Sequence, residues 1–234
     1  MNTRIVSAAK RQIRLGQRRL KDLWRATRFS RGGKATHGVP VPVAVSVAQP
    51  IRSSLHLDNK LHNLRNGIQK IETCTVLPGR TFSFWRIVGR PDAKNGYRPG
   101  RNIISGELRE DYGGGLCQLS GIMYHAALLG GLQVTERHNH SVDIYREEER
   151  FTPLGADATV VYGYKDLRFK NNLAFPVRFC FELRADGIEC RLTAPGKLTP
   201  YILAFERTED AHRKTVVTRY MPEGRAVAVS VYKK

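Results

Sequence analysis

Residues 111–131 read DYGGGLCQLSGIMYHAALLGG, and no other stretch constrains the fold as tightly. Leu119, Ile122, Met123, Ala126 and Leu129 recur at helical spacing, which predicts a helix with an apolar face that stops at Gly130 and Gly131. Gly113, Gly114 and Gly115 precede it and permit positive φ angles or a close backbone approach. Cys117 therefore falls in the first turn, where unpaired N–H groups and the positive dipole end favour a thiolate over a thiol. Ser120 and Gly121, one turn on, keep the helix thin beside the sulfur. The glycine N–H groups are free to meet an anion or oxyanion, and Gln118 adds a side-chain donor. No Gly-Lys-Ser/Thr follows, so this is not a phosphate-binding P-loop. The plainer alternative makes Cys117 a small residue that fits behind a flexible turn.

A second helix is expected near residues 51–71, where Leu57, Leu61, Leu64, Ile68 and Ile71 share a face and leave His56 and His62 as surface residues. Hairpin-like strands are expected at 74–85, 134–145, 157–170 and 175–193, and a last hairpin turns at Pro222, Glu223 and Gly224. Strand runs with few intervening helices predict an α+β fold, a largely antiparallel sheet packed by two main helices. The four cysteines, at 74, 117, 180 and 190, form neither a CxxC pair nor a Cys/His ligand pattern, so no metal site and no cofactor are expected. Cys74 reads as a small buried hydrophobe, and Cys180 and Cys190, on one hairpin, are expected to be reduced.

Alternation along VTERHNHSVDIY places His138, His140, Val142 and Ile144 on one strand face, turned inward or into a cleft. The next strand-like run, GADATVVYGY, carries Asp157. The order is thus a cysteine at a helix start, a histidine on a strand and an acid on the next. Papain-like and transglutaminase-like enzymes use that order, with the acid orienting the imidazole that draws the thiol proton. The alternative makes both histidines hydrogen-bonded structural residues and Asp157 a turn or cap carboxylate.

Charge divides the chain. The formal net charge is +18, and residues 1–34 hold eleven Lys or Arg against one acid, Asp22. Within them Ile5, Ala9, Ile13, Gly16, Leu20 and Leu23 follow helical spacing, with Trp24 alongside. A basic amphipathic helix results, ended by Gly32 and Gly33 and joined to an extended Val/Pro arm. Such a helix can lie on anionic lipid, grip phosphates, or pack on the protein by its apolar stripe. Nucleic acid ranks last among the partners, because the interleaved aromatic pattern of known modules is absent. No apolar run reaches the roughly 18 residues needed to span a bilayer, and no secretory h-region opens the chain, so a cytoplasmic location or one peripheral to the inner membrane face is expected. Two parts are expected, an extension with linker at 1–34 and an α+β domain at 35–234.

Three stretches, FSFWRIVGRPDAKNGYRPG, GELREDYGGGLCQLSGIMYHAALLGGLQVTERHNHSVD and DATVVYGYKDLRFKNNLAFPVRF, together resemble the VanW family over about residues 81–181. The GGGLCQL centre and the YKDLRFKNN run are its most specific parts. The resemblance implies a bacterial protein linked to the cell envelope or to glycopeptide resistance, with a peptidoglycan peptide or precursor as the substrate class. Cys117, Gln118 and the His138 to His140 region match the family's pattern, and Asp166 of the YKD run competes with Asp157 for the acid's role. Many relatives carry a membrane segment or extracellular modules that this chain lacks, which sets it apart from an extracytoplasmic assignment. Two functions follow. One is thiol-dependent acyl transfer or hydrolysis on a peptide-like substrate, with Cys117 as nucleophile, His140 or His138 as base and Asp157 as orienting acid. The other is capture of a carboxylate or phosphate at Gly113, Gly114, Gly115 and the helix start, without chemistry.

Overall fold

The computed structural model describes residues 2–33, 42–104, 107–143 and 150–234. The chain folds as an α+β protein in which every pairing between named strands is antiparallel. Helix α1 (Asn2–Trp24) is followed by β1 (Val43–Pro50), α2 (Leu57–Glu72), β2 (Thr75–Val76), β3 (Thr81–Ser83) and α3 (Phe84–Val88). Next come β4 (Pro99–Ile104), β5 (Glu107–Tyr112), α4 (Leu116–Leu129), β6 (Gln133–Glu136) and β7 (Arg168–Lys170). Strands β8 (Val177–Leu183), β9 (Gly187–Thr193), β10 (Ile202–Glu209), β11 (Arg213–Met221) and β12 (Arg225–Lys233) complete the chain. The strands form four small sheets, ordered β1-β9-β8-β2, β10-β11-β12, β3-β7-β6 and β4-β5.

Both expected main helices are present, and they face each other across the core. Leu64, Ile68 and Ile71 of α2 and Leu119, Ile122 and Met123 of α4 are all buried. Each such side chain stabilises the fold by roughly 1.5–3 kcal/mol. Helix α4 lies against β1 and β9, α2 against β8, and Phe82 stacks on Phe169 at 4.8 Å beneath them. The Val/Pro arm ends in edge strand β1, its part up to residue 41 lying outside the described residues. Cys74 is buried, and burial pushes its thiol up to about 11. Cys180 and Cys190 are free and lie opposite Arg191 and Phe181 rather than each other. The last hairpin turns where expected, between β11 and β12.

Several strand expectations are corrected. Strands β2 and β3 do not form a hairpin; β2 pairs with β8 and β3 with β7, because the intervening turn bonds to Asn171, through the Gly79 N–H and the Val76 carbonyl. The run at 134–145 keeps its strand only to Glu136, and Ile144 lies outside the described residues. Residues 155–160 form no strand. Side chains take their backbone carbonyls instead: Arg137 bonds those of Gly155 and Asp157, and Ser120 that of Ala158. A segment satisfied this way needs no ladder partner.

Helix α1 ends at Trp24, well before Gly32 and Gly33, where Ala26 adopts a φ of 46° and the Thr27 N–H bonds the Asp22 carbonyl. The chain then runs extended beside β3, with Phe29 opposite Thr81 and Ser30 N–H bonded to the Thr81 carbonyl.

Candidate functional site

The site begins with the glycine turn. Gly115 caps α4 with a φ of 99°, a conformation strained for any residue with a Cβ, and a Cβ there would sit 2.9 Å from Lys60 Cγ. Cys117 is thereby the second residue of the helix. Among the described residues the N–H groups of Gly114, Gly115 and Cys117 have no protein acceptor. The turn is fixed from below by Asn63 of α2, fully buried, whose amide donates to the carbonyls of Arg98 (2.9 Å) and Gly114 (3.2 Å) and accepts from Arg98 N–H (2.8 Å). Asn63→Leu is expected to lower stability by about 3 kcal/mol in urea unfolding, since it strands these buried backbone groups.

Gly121 and Ser120 let the 157–160 segment approach α4. A Cβ at Gly121 would be 3.5 Å from the Ala158 nitrogen, and Ser120 Oγ donates to the Ala158 carbonyl at 2.7 Å. That approach puts Thr159 Oγ1 3.4 Å from the Cys117 sulfur and Asp157 behind His140. Asp157 Oδ2 accepts from His140 Nδ1 at 2.6 Å and from the His140 N–H at 2.8 Å. With Nδ1 so engaged, Nε2 is the nitrogen left for the sulfur, and His140 and Cys117 lie close enough on the cleft for each to shift the other's pKa.

The charges follow from this chain of bonds. Burial raises the Cys117 thiol pKa, but the His140 hydrogen bond and charge, with Thr159 and the Val160 backbone, outweigh it and leave the thiol below its ordinary value. Burial lowers the His140 pKa, but Asp157 and Cys117 together carry it up to about 9. Burial likewise opposes ionisation of Asp157, while His140 and Arg137 hold it down at about 2. Together these shifts favour the thiolate–imidazolium pair over the neutral thiol and imidazole, with the Asp157 carboxylate behind it.

Behind Asp157 stand residues that spacing could not reveal. Arg137 donates to Asp157 Oδ1 at 2.8 Å and to Ser230 Oγ at 2.5 Å, its guanidinium over the Tyr124 ring. The Tyr232 hydroxyl also donates to Asp157 Oδ1. Cys117, His140 and Asp157 line one cleft of about 470 Å³ with Gly114, Gly115 and Gln118. Gln118 additionally ties the end of β1 through the Pro50 carbonyl, at 2.9 Å. Lys60 and His56 line the same cleft, so His56 is not the plain surface residue expected.

Other expected site residues lie elsewhere. His138 pairs with Glu136 at 3.1 Å and does not line the cleft, because the backbone leaves strand geometry after Glu136 and breaks the alternation that would have aligned it with His140. Asp166 is buried in a structural network, accepting from Ser83 (2.6 Å), the Trp85 N–H (3.1 Å) and Arg168 (2.8 Å). Gly113 shapes the turn beside Pro91 but does not face the cleft.

The model of a protein family described as VanW like protein matches residues 59–193, which include Cys117, His140 and Asp157. The chain belongs to the VanW-like family. It is 35% identical over 119 residues to the uncharacterized protein YoaR of Bacillus subtilis (strain 168), covering 51% of this chain and 38% of that protein. It is 32% identical over 118 residues to the vancomycin B-type resistance protein VanW of Enterococcus faecalis (strain ATCC 700802 / V583), covering 50% of this chain and 43% of that protein. The match thus spans less than half the length of either curated relative. No solved structure matches. The VanW-like region holds the whole Cys–His–Asp arrangement, whereas Tyr232, Ser230 and helix α1 lie outside it. Among the described residues, no helix of this VanW-like chain is long and apolar enough to cross a membrane.

Proposed function

We propose that this VanW-like protein is a thiol-dependent acyl transferase or hydrolase acting on a peptide-like substrate. The observation that carries the reading is the linked set Cys117, His140 and Asp157 on one cleft wall, with the sulfur at the start of α4. The Cys117 thiolate attacks the substrate carbonyl carbon, forming a C–S bond as the carbonyl electrons move to oxygen. The N–H groups of Gly115 and Cys117 and the second amide proton of Gln118, all on residues that line the cleft, serve as donors for that oxygen. Collapse expels the leaving amine or alcohol, protonated by His140. Water, giving its proton to His140, then attacks the thioester and releases an acid; a second nucleophile in place of water gives transfer. Similarity to a vancomycin B-type resistance protein supports a cell-envelope peptide as the substrate class.

A second reading, capture of a carboxylate or phosphate without chemistry, is favoured by Lys60. Lys60 lines the cleft with its Cγ beside the glycine turn, pairs with no acid among the described residues, and has its pKa lowered by burial. The two readings separate with p-nitrophenyl acetate as probe. The enzyme reading expects an acetyl group on Cys117 by mass spectrometry and a fall of roughly 10³-fold in p-nitrophenol release for Cys117→Ala. Release unchanged by that substitution, with no acetyl on Cys117, contradicts it.

A further inference from the structure

Helix α1 is mounted inside out. Ala8, Arg11, Leu15, Arg18 and Asp22, spaced three and four apart, form the face turned to the protein. That face is held by charge: Arg18 to Glu136 at 2.5 Å, and Asp22 to Arg168 at 2.6 Å and to Arg86 at 3.3 Å. Arg11 and Leu15 lie over Gly163. The apolar stripe points away from the protein, with Ile13 61%, Leu20 68%, Leu23 75% and Trp24 85% exposed. An amphipathic helix that merely packed on its domain would show the reverse.

From this orientation we infer that α1 seats the protein on an anionic lipid surface, its apolar stripe in the headgroup and acyl boundary and its polar seam carrying the domain above. Charge selects this occupant. Lys10, Arg14 and Lys21 flank the stripe on one side and Arg19 on the other, all exposed, while Asp22, the acid of this helix, is turned inward. A second copy would bring cations against cations. A nucleic acid would engage the cations and leave four large apolar side chains against phosphate. A leaflet with anionic headgroups takes both the apolar stripe and its basic flanks.

The test uses the full chain with vesicles of phosphatidylglycerol and phosphatidylcholine, set against phosphatidylcholine alone. Sedimentation with the anionic vesicles, weakening as salt rises, is expected, together with a blue shift of Trp24 emission; Trp85, bonded to the Lys165 carbonyl, is held within the fold. Leu20→Ser with Trp24→Ser removes the shift and lowers partitioning roughly tenfold or more. Because both side chains are exposed, the thermal midpoint stays unchanged, which separates lost binding from lost folding. Lys10→Gln, Arg14→Gln and Lys21→Gln together abolish the preference for anionic vesicles. Equal retention on both vesicle types, no retention, or an apolar variant that sediments like the parent overturns the inference. So does a lipid-free dimer that the apolar variant dissolves, or retention on RNA without retention on vesicles.

Discussion

Asp157→Asn is expected to slow alkylation of Cys117 at mildly acidic pH by roughly tenfold or more, since a carboxylate this close to an imidazole shifts its pKa by a unit or more. The sign follows from the linked bonds. Without the carboxylate, His140 loses the partner that holds it near 9 and is neutral more of the time. A neutral imidazole no longer stabilises the thiolate, so the Cys117 pKa rises. Below both thiol pKa values the thiolate fraction falls with that rise, while at strongly alkaline pH parent and variant are both thiolate and react alike. Iodoacetamide labelling of the two proteins across pH, read by mass spectrometry, checks it. The same pairing predicts a pH-dependent share of stability. A His140 pKa raised above its unfolded value gives stabilisation that is complete below about 6.5 and is lost as pH rises through about 9.

Arg137→Leu is expected to lower folding stability by about 3–5 kcal/mol, the cost of breaking a buried ion pair from one side. Arg137 joins Asp157 to Ser230 of β12 and to the Gly155 carbonyl, so its loss leaves a carboxylate and two backbone carbonyls short of donors. Asp157 would keep His140 and Tyr232 as partners. Chemical denaturation measures the loss. A fall below about 1 kcal/mol would show that these groups reach water or other partners without the arginine.

The elements legible in the sequence were those that local pattern dictates. The 4-3-4-3 spacing from Leu57 to Ile71 and the glycine-bounded run from 116 to 129 gave both core helices, since a helix buries whichever face its period makes apolar. Cys117 at a helix start was legible for the same reason, and so was the turn at Pro222 to Gly224. What alternation could not show was where a strand stops. It stops after Glu136 because Asp157 and Arg137 draw the following backbone aside, through the His140 N–H and the carbonyls of 155–157, and these are contacts between residues some twenty positions apart. That departure separates His138 from His140, which period-two reasoning holds on one face. Period-two alternation likewise puts Arg137 on the face opposite the histidines, and Tyr232 lies 75 residues from Asp157 in sequence. The apolar stripe of α1 was legible, but its direction was not, because the seam that orients it pairs Arg18 and Asp22 with Glu136, Arg86 and Arg168 far along the chain.

The central claim is that the fold lowers the Cys117 thiol pKa below its ordinary value. Its most direct measurement is the alkylation rate of each of the four cysteines in the folded chain as a function of pH. Cys74, held up near 11 by burial, and Cys190, raised by burial and nearby charge, serve as internal references. The account predicts that Cys117 reacts first and fastest, with a midpoint below that of an ordinary cysteine and labelling already evident at mildly acidic pH. A Cys117 that stays unreactive there in the folded chain, or titrates with an ordinary or raised midpoint, contradicts it.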